Sequence, residues 1–291
     1  MVFYPDGEAE ELLEQMRTRG EEHPLLKKGF IFDVDGVLCR GEEIIPKAPE
    51  AIERLRRGGK QVIFISNNST KSRADYLAKF ERLGIPAREN DLVLSTYATA
   101  QYVAKEHPGA RVYMIGAPGL WKELELAGLE VLDDPFQAEY VVVGSAFDGT
   151  GRISEENGLR ITGALRALHH ANAKFIATNP DRIFPAQDGV IPGTGAMIGA
   201  LSYMVERQPD VIIGKPNTYI VDIALARLGL KSGECVIVGD MDTDMLAGQH
   251  SGMSTVYVRS GAMTENMLRE ELGIRPDFVY DSIIGMTSVP G

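Results

Sequence analysis

The sequence is short of cysteine, of basic residues and of long apolar runs, and each shortage removes a class of protein. Two cysteines in 291 residues cannot make a disulfide framework, which points to a reducing compartment. The longest apolar stretches, such as Val141-Val142-Val143 and Val211-Ile212-Ile213, fall far short of the ~20 residues that cross a bilayer. The first residues, MVFYPDGEAEELLEQM, are acidic and lack the apolar centre of a secretory signal. Cytoplasmic and soluble is therefore the expectation. Lys and Arg number 30 against 41 Asp and Glu, a net charge of −11, which argues against coating nucleic acid or an anionic membrane. Repeats and low-complexity tracts are also missing, as is any G-x-x-x-x-G-K-[ST] phosphate loop.

What is present is an ordinary globular composition, 44% hydrophobic and 24% charged. At about 100–200 residues per domain the length suggests two domains. Short apolar runs rich in β-branched and aromatic residues recur at Gly29–Phe32, Val62–Ile65, Val112–Ile115, Tyr140–Val143, Phe175-Ile176, Val211–Ile213, Val236–Val238 and Val256–Val258. Unbroken runs of this length suit strands buried on both faces. Helical patterns lie between them, over Pro49–Arg57, Ser72–Leu83, Ala98–Glu106 and Tyr219–Leu228, and a charged one precedes them over Glu8–Arg19, with Leu12, Leu13 and Met16 on one side. Strand and helix in alternation predict parallel sheets with helical crossovers. Ligands of such sheets bind beyond the C-terminal strand ends.

Four strand ends carry chemistry. In Phe32-Asp33-Val34-Asp35-Gly36 the two acids, two residues apart, leave the sheet on one side. Two carboxylates that close repel unless a cation or a proton lies between them. Hard oxygens of this kind suit Mg²⁺, and an Asp can also act as a nucleophile; taken alone, the pattern equally fits turn aspartates. Ser66-Asn67-Asn68-Ser69-Thr70 offers a hydroxyl, amides and backbone N–H groups for an anion, or a simple helix cap. Gly214-Lys215-Pro216 holds an ammonium in a restrained loop, where it can stabilise a phosphoryl group. Gly239-Asp240-Met241-Asp242-Thr243-Asp244 closes another buried run with an acidic cluster, read either as metal ligands or as acids complementing a helix dipole.

Taken in this order from Phe30 to about Asp244, the four motifs resemble the haloacid dehalogenase (HAD) superfamily of phosphotransferases. The resemblance implies a doubly wound, Rossmann-like α/β core over residues 1–95 and 210–291, with a large α/β cap inserted over 96–209. Ile65–Arg73, Ala177–Asp181 with Phe184-Pro185, and Pro192–Ala196 look like the NagD-like branch, which includes p-nitrophenyl and phosphoglycolate phosphatases. By this likeness Asp33 is the nucleophile that becomes an aspartyl-phosphate and Asp35 the acid and base. Ser66, Asn67, Asn68 and Lys215 hold the phosphate. Mg²⁺ sits on Asp33, the backbone carbonyl of Asp35, Asp240, and either Asp242 or Asp244, because Met241-Asp242-Thr243 is one residue shorter than the branch's usual spacing. Arg182 and Phe184 face the substrate from the cap, and two copies pair through their caps.

The remaining candidates read more plainly. Cys39 and Cys235 suit small core residues, and His169-His170 a helix position without catalytic duty. Gly193-Thr194-Gly195 follows a Pro instead of a strand, so it is not a dinucleotide loop. The expectation is a phosphatase of small phosphorylated metabolites. Its rivals are a phosphotransferase or mutase and a non-catalytic phosphometabolite sensor.

Overall fold

Each apolar run of the sequence forms a strand in the computed structural model, which describes residues 6–20, 22–186 and 189–287. The chain divides into two compact units. One comprises Met1–Ile65, Leu77–Leu92 and Val221–Gly291, and the other Ser66–Tyr76 and Val93–Ile220.

The first unit is built on a six-stranded sheet in the order Phe278–Tyr280, Ser254–Val258, Cys235–Gly239, Gly29–Asp33, Gln61–Ser66, Leu92–Leu94. Gly29–Asp33 pairs in parallel with the strands on either side. Every residue of Gly29–Asp33 and of Cys235–Gly239 is buried, which is why both read as continuous apolar runs. The Phe30, Phe32 and Phe64 rings follow one another across the paired strands, and Phe80 meets Phe64 edge-on with centroids 5.1 Å apart. Burying rings of that size contributes on the order of 2–3 kcal/mol each. The helix Ala48–Arg57 turns Ala48, Ala51, Ile52 and Leu55 inward, one stripe at helical spacing. In the N-terminal helix Asp6–Arg19, Met16 is buried, while the side chain of Leu12 lies outside the described residues.

Strand order fixes where chemistry can gather in this unit. From Gly29–Asp33 the chain proceeds outward to one edge, then returns with Cys235–Gly239 on the opposite side of the same strand. The loops leaving those two strands therefore depart in opposite directions, and it is at such a switch point, beyond the C-terminal strand ends, that sheets of this kind bind ligands.

The second unit holds a five-stranded, wholly parallel sheet in the order Val211–Ile212, Lys174–Ala177, Tyr140–Val143, Arg111–Ile115, Glu130–Val131. Its core packs Ile115, Val141, Val143 and Phe175 against Ala164, Ala167 and Leu201, which come from the helices Glu155–His170 and Thr194–Val205. An antiparallel hairpin of Ile183–Ala186 with Gly189–Pro192 leaves Ile183, Phe184 and Val190 exposed. The parallel α/β class read from the sequence is the class observed. Strands missed by that reading, such as Leu92–Leu94, Glu130–Val131 and Phe278–Tyr280, are only two or three residues long.

Candidate active site

Register brings the first acids together. Phe32 lies beside Val238, so Asp33 ends its strand level with Gly239, one residue before Asp240. The helix Asp242–His250 begins directly afterwards and carries Asp244 in its first turn. The Oδ2 atom of Asp244 accepts the Asp240 and Met241 backbone N–H groups at 3.2 and 3.1 Å, which caps the helix and fixes the carboxylate. Asp240 Oδ2 accepts the N–H of Ala262 at 2.9 Å. As a result one oxygen from each of Asp33, Asp240 and Asp244, all three buried, lies within 4.8 Å of the others. Among the described residues this group includes Asp244 and not Asp242. Gly36 makes the cluster possible: its φ is +88°, and a Cβ there would overlap the Asp240 carboxylate.

Three buried carboxylates this close repel strongly and favour a hard, oxygen-seeking cation. The donor set fits Mg²⁺: oxygen only, acidic, and few enough ligands to leave room for water and a phosphate.

Asp35 is half-buried beside the cluster's strand end. Its Oδ1 accepts a charge-assisted hydrogen bond from Lys79 Nζ at 3.1 Å. Burial, the largest single influence, pushes the Lys79 ammonium down, but the Asp35 carboxylate and the Cys39 sulfur together offset it and hold the group above the ordinary lysine value. Lys79 lies on the helix Arg73–Arg82 and carries no motif, so the sequence offered no signal for it. The thiol of Cys39 touches the same pair, and burial together with the Asp35 charge pushes it up to about 12. Burial likewise lifts Cys235, to about 11. Neither is a thiolate nucleophile at neutral pH.

The second unit holds the other motif residues. Ser66 ends the strand Gln61–Ser66, with Oγ 3.0 Å from the buried Tyr76 hydroxyl and accepting the Asn68 N–H. Asn68 Oδ1 accepts the Thr70 N–H and hydroxyl, closing the loop on itself. Ser72 and Asp75 cap the next helix reciprocally. Asn67, expected to touch phosphate, gives its amide instead to Lys215 and Asp181. Lys215 itself is buried. Arg182 and Phe184, at the start of the exposed hairpin, both face outward.

Comparison with known proteins decides the family. Residues 30–130 match the model of the haloacid dehalogenase-like hydrolases, and residues 212–285 match a second, HAD-hydrolase-like model. A chloroplastic phosphoglycolate phosphatase 1A of Arabidopsis thaliana is 36% identical over 272 residues, 87% of this chain and 75% of that protein. The chain belongs to the haloacid dehalogenase superfamily. Within it, the NagD-like branch is its place. The sugar-phosphatase AraL of Bacillus subtilis is 34% identical over 91% of this chain and 94% of its own. A p-nitrophenyl phosphatase structure from Archaeoglobus fulgidus superposes with a TM-score of 0.83 at 44% identity, covering 90% of this chain and 98% of that one. This HAD protein is a phosphoric monoester hydrolase. No helix among its described residues is long and apolar enough to cross a membrane.

Proposed function

We propose that this HAD phosphatase hydrolyses small phosphate monoesters, of the sugar phosphate, phosphoglycolate, nucleotide or aryl type, through an aspartyl-phosphate on Asp33. The observation that carries the reading is the buried Asp33–Asp240–Asp244 cluster at the C-terminal ends of two adjacent parallel strands. Those three carboxylates are the groups that would hold Mg²⁺, which when bound neutralises charge between them and the phosphoryl oxygens.

A carboxylate oxygen of Asp33 attacks phosphorus, and the bond from phosphorus to the ester oxygen breaks. Asp35, protonated by the phosphate monoanion as it binds, passes that proton to the departing oxygen, so the product is a neutral alcohol. Water then attacks phosphorus and loses a proton to Asp35. The bond to Asp33 breaks, releasing inorganic phosphate and restoring both carboxyl groups. Ser66 donates to a phosphoryl oxygen and the Lys215 ammonium offsets its charge, so most of the acceleration comes from positioning and electrostatics. Lys79 keeps the Asp35 carboxyl from turning into solvent.

Relatives named for phosphoglycolate and for sugar phosphates make those two classes the first substrates to try. The direct test replaces Asp33 with Asn and follows p-nitrophenyl phosphate. Turnover should fall by at least about 10³-fold, and no acid-stable phosphoryl-protein should form from labelled substrate; wild-type turnover would overturn the reading.

A further inference from the structure

The Asn67 amide makes three hydrogen bonds, all to protein. Its Nδ2 donates to the Lys215 carbonyl at 2.9 Å and to Asp181 Oδ1 at 3.0 Å, while its Oδ1 accepts the Lys215 N–H at 2.8 Å. The orientation of the amide is not arbitrary. A backbone N–H only donates, so the oxygen must face Lys215 N and the nitrogen must face the carbonyl and the carboxylate. Both N–H groups of the amide are then committed, and an anion needs donors. This side chain has none left for a substrate phosphate.

We propose that Asn67 is a positioning residue: it fixes the main chain of Lys215 on both sides, and through Asp181 ties it to the turn at 179–181. The inference rests on the phosphate-holding role of Lys215 argued above. Lys215 follows the edge strand Val211–Ile212, and the Ile213 and Gly214 N–H groups extend that pairing to the Ala177 and Thr178 carbonyls at 3.0 and 2.8 Å, so the Asn67 amide takes hold of the chain one residue further on. Asn67 pairs with Lys215 as a strand neighbour would, one donor and one acceptor. It is itself held, because its carbonyl accepts the Ser95 hydroxyl at 2.9 Å.

The surrounding chain is shaped to this contact. A Cβ at Gly214 would overlap Asn67 Oδ1 and lie 2.8 Å from the Thr178 carbonyl, so only glycine lets the loop approach. Asp181 is braced from its other oxygen, Oδ2, by Asn179 Nδ2 at 2.8 Å. Asn179 Oδ1 in turn accepts the Thr178 and Thr194 hydroxyls. An amide at 67 thus meets a carboxylate that has itself been fixed from behind.

The test is a double-mutant cycle on p-nitrophenyl phosphate hydrolysis with the full chain. Asn67→Ala should lower kcat by about 10²-fold, the effect of an ångström-scale misplacement, with KM changed less than about threefold. In a Lys215→Ala background the same change should cost less than about threefold, because the group being positioned is gone. Equal losses in both backgrounds would overturn the proposal and make Asn67 an independent substrate ligand. Amide hydrogen exchange separates this inference from the reading beneath it. Asn67→Ala should speed exchange at the Lys215 N–H about tenfold or more whatever Lys215 does in catalysis, whereas an activity unmoved by Lys215→Ala would remove the lysine's role and leave the anchoring intact.

Discussion

The acidic cluster of the first unit and the Asn67 network of the second treat buried polar groups in opposite ways. Asp33, Asp240 and Asp244 crowd three like charges within 4.8 Å, an arrangement that costs stability until a cation arrives. Asn67, Asp181, Asn179 and Thr194 form a chain in which each donor meets an acceptor, which is the ordinary condition of a stable interior. Only the first is built to receive a ligand. A fully satisfied network holds something in place, whereas a repelling one waits for a charge from outside.

Neutralising one acid should separate the two regions most strongly. Asp240→Asn keeps an oxygen for the Ala262 N–H but removes a charge. With Mg²⁺ saturating, turnover should fall by about 10³-fold, the scale of losing one electrostatic partner to the transferring group. In metal-free buffer the same variant should melt about 2–4 °C higher than wild type, because one repulsion is gone. Added Mg²⁺ should raise the wild-type Tm and leave the variant's nearly unmoved. A variant that melts lower without metal would mean the acids are not repelling one another, and the contrast would fail.

A second test asks whether charge in the other unit is satisfied in the way its amides are. Glu123 is almost wholly buried and receives the Arg73 backbone N–H at 2.7 Å and the guanidinium at 3.1 and 3.2 Å. Arg73 also stacks over Tyr97, 4.0 Å from the ring centre. Removing one partner of a buried pair costs about 3–5 kcal/mol, whereas replacing both with apolar residues costs little. Glu123→Ala should therefore lower the urea midpoint strongly, and Arg73→Met with Glu123→Gln, which keeps an acceptor for the residue-73 N–H, should recover most of the loss. If the double change is as damaging as the single one, packing and not charge compensation holds this site.

The same contrast explains how much could be read beforehand. Asp33 and Asp240 were legible because each ends an unbroken apolar run, and a parallel sheet gathers such ends in one crevice. Asp244, left open against Asp242 by spacing alone, is the acid whose carboxylate stands beside Asp33 and Asp240, held in place by the Asp240 and Met241 N–H groups. Lys79 was invisible, since a lysine on an amphipathic helix looks like any solvated one until the strand end beside it is placed. Asn67 was visible as a residue but not in its role, for its partners stand at 181 and 215 and only the fold brings them near. Chemistry that depends on repeated residue types at short spacing shows in a sequence; chemistry that depends on complementary groups far apart along the chain does not.

His23 gives the smallest effect and joins the two halves of the contrast, because pH alone can convert it from one condition to the other. The imidazole is buried. Its Nδ1 accepts the Leu25 N–H at 3.2 Å, which places the proton on Nε2, 3.2 Å from the Tyr280 hydroxyl. Burial holds its pKa below the ordinary 6.5, and burial also raises that of Tyr280, so both groups stay neutral near pH 7. In the unfolded chain His23 takes up a proton near pH 6.5, while the folded chain resists until lower pH. Its contribution is therefore complete above 6.5 and lost as pH falls through the depressed folded value. The loss can be no steeper than about 1.4 kcal/mol per pH unit, the limit for one proton. His23→Asn supplies an oxygen for the Leu25 N–H and cannot be protonated, so its unfolding free energy should fall less than the wild type's between pH 7.5 and 5.5. Parallel curves for the two proteins would show that a protonated ring is accommodated at this position, and that a satisfied polar site in this fold can take on charge without penalty.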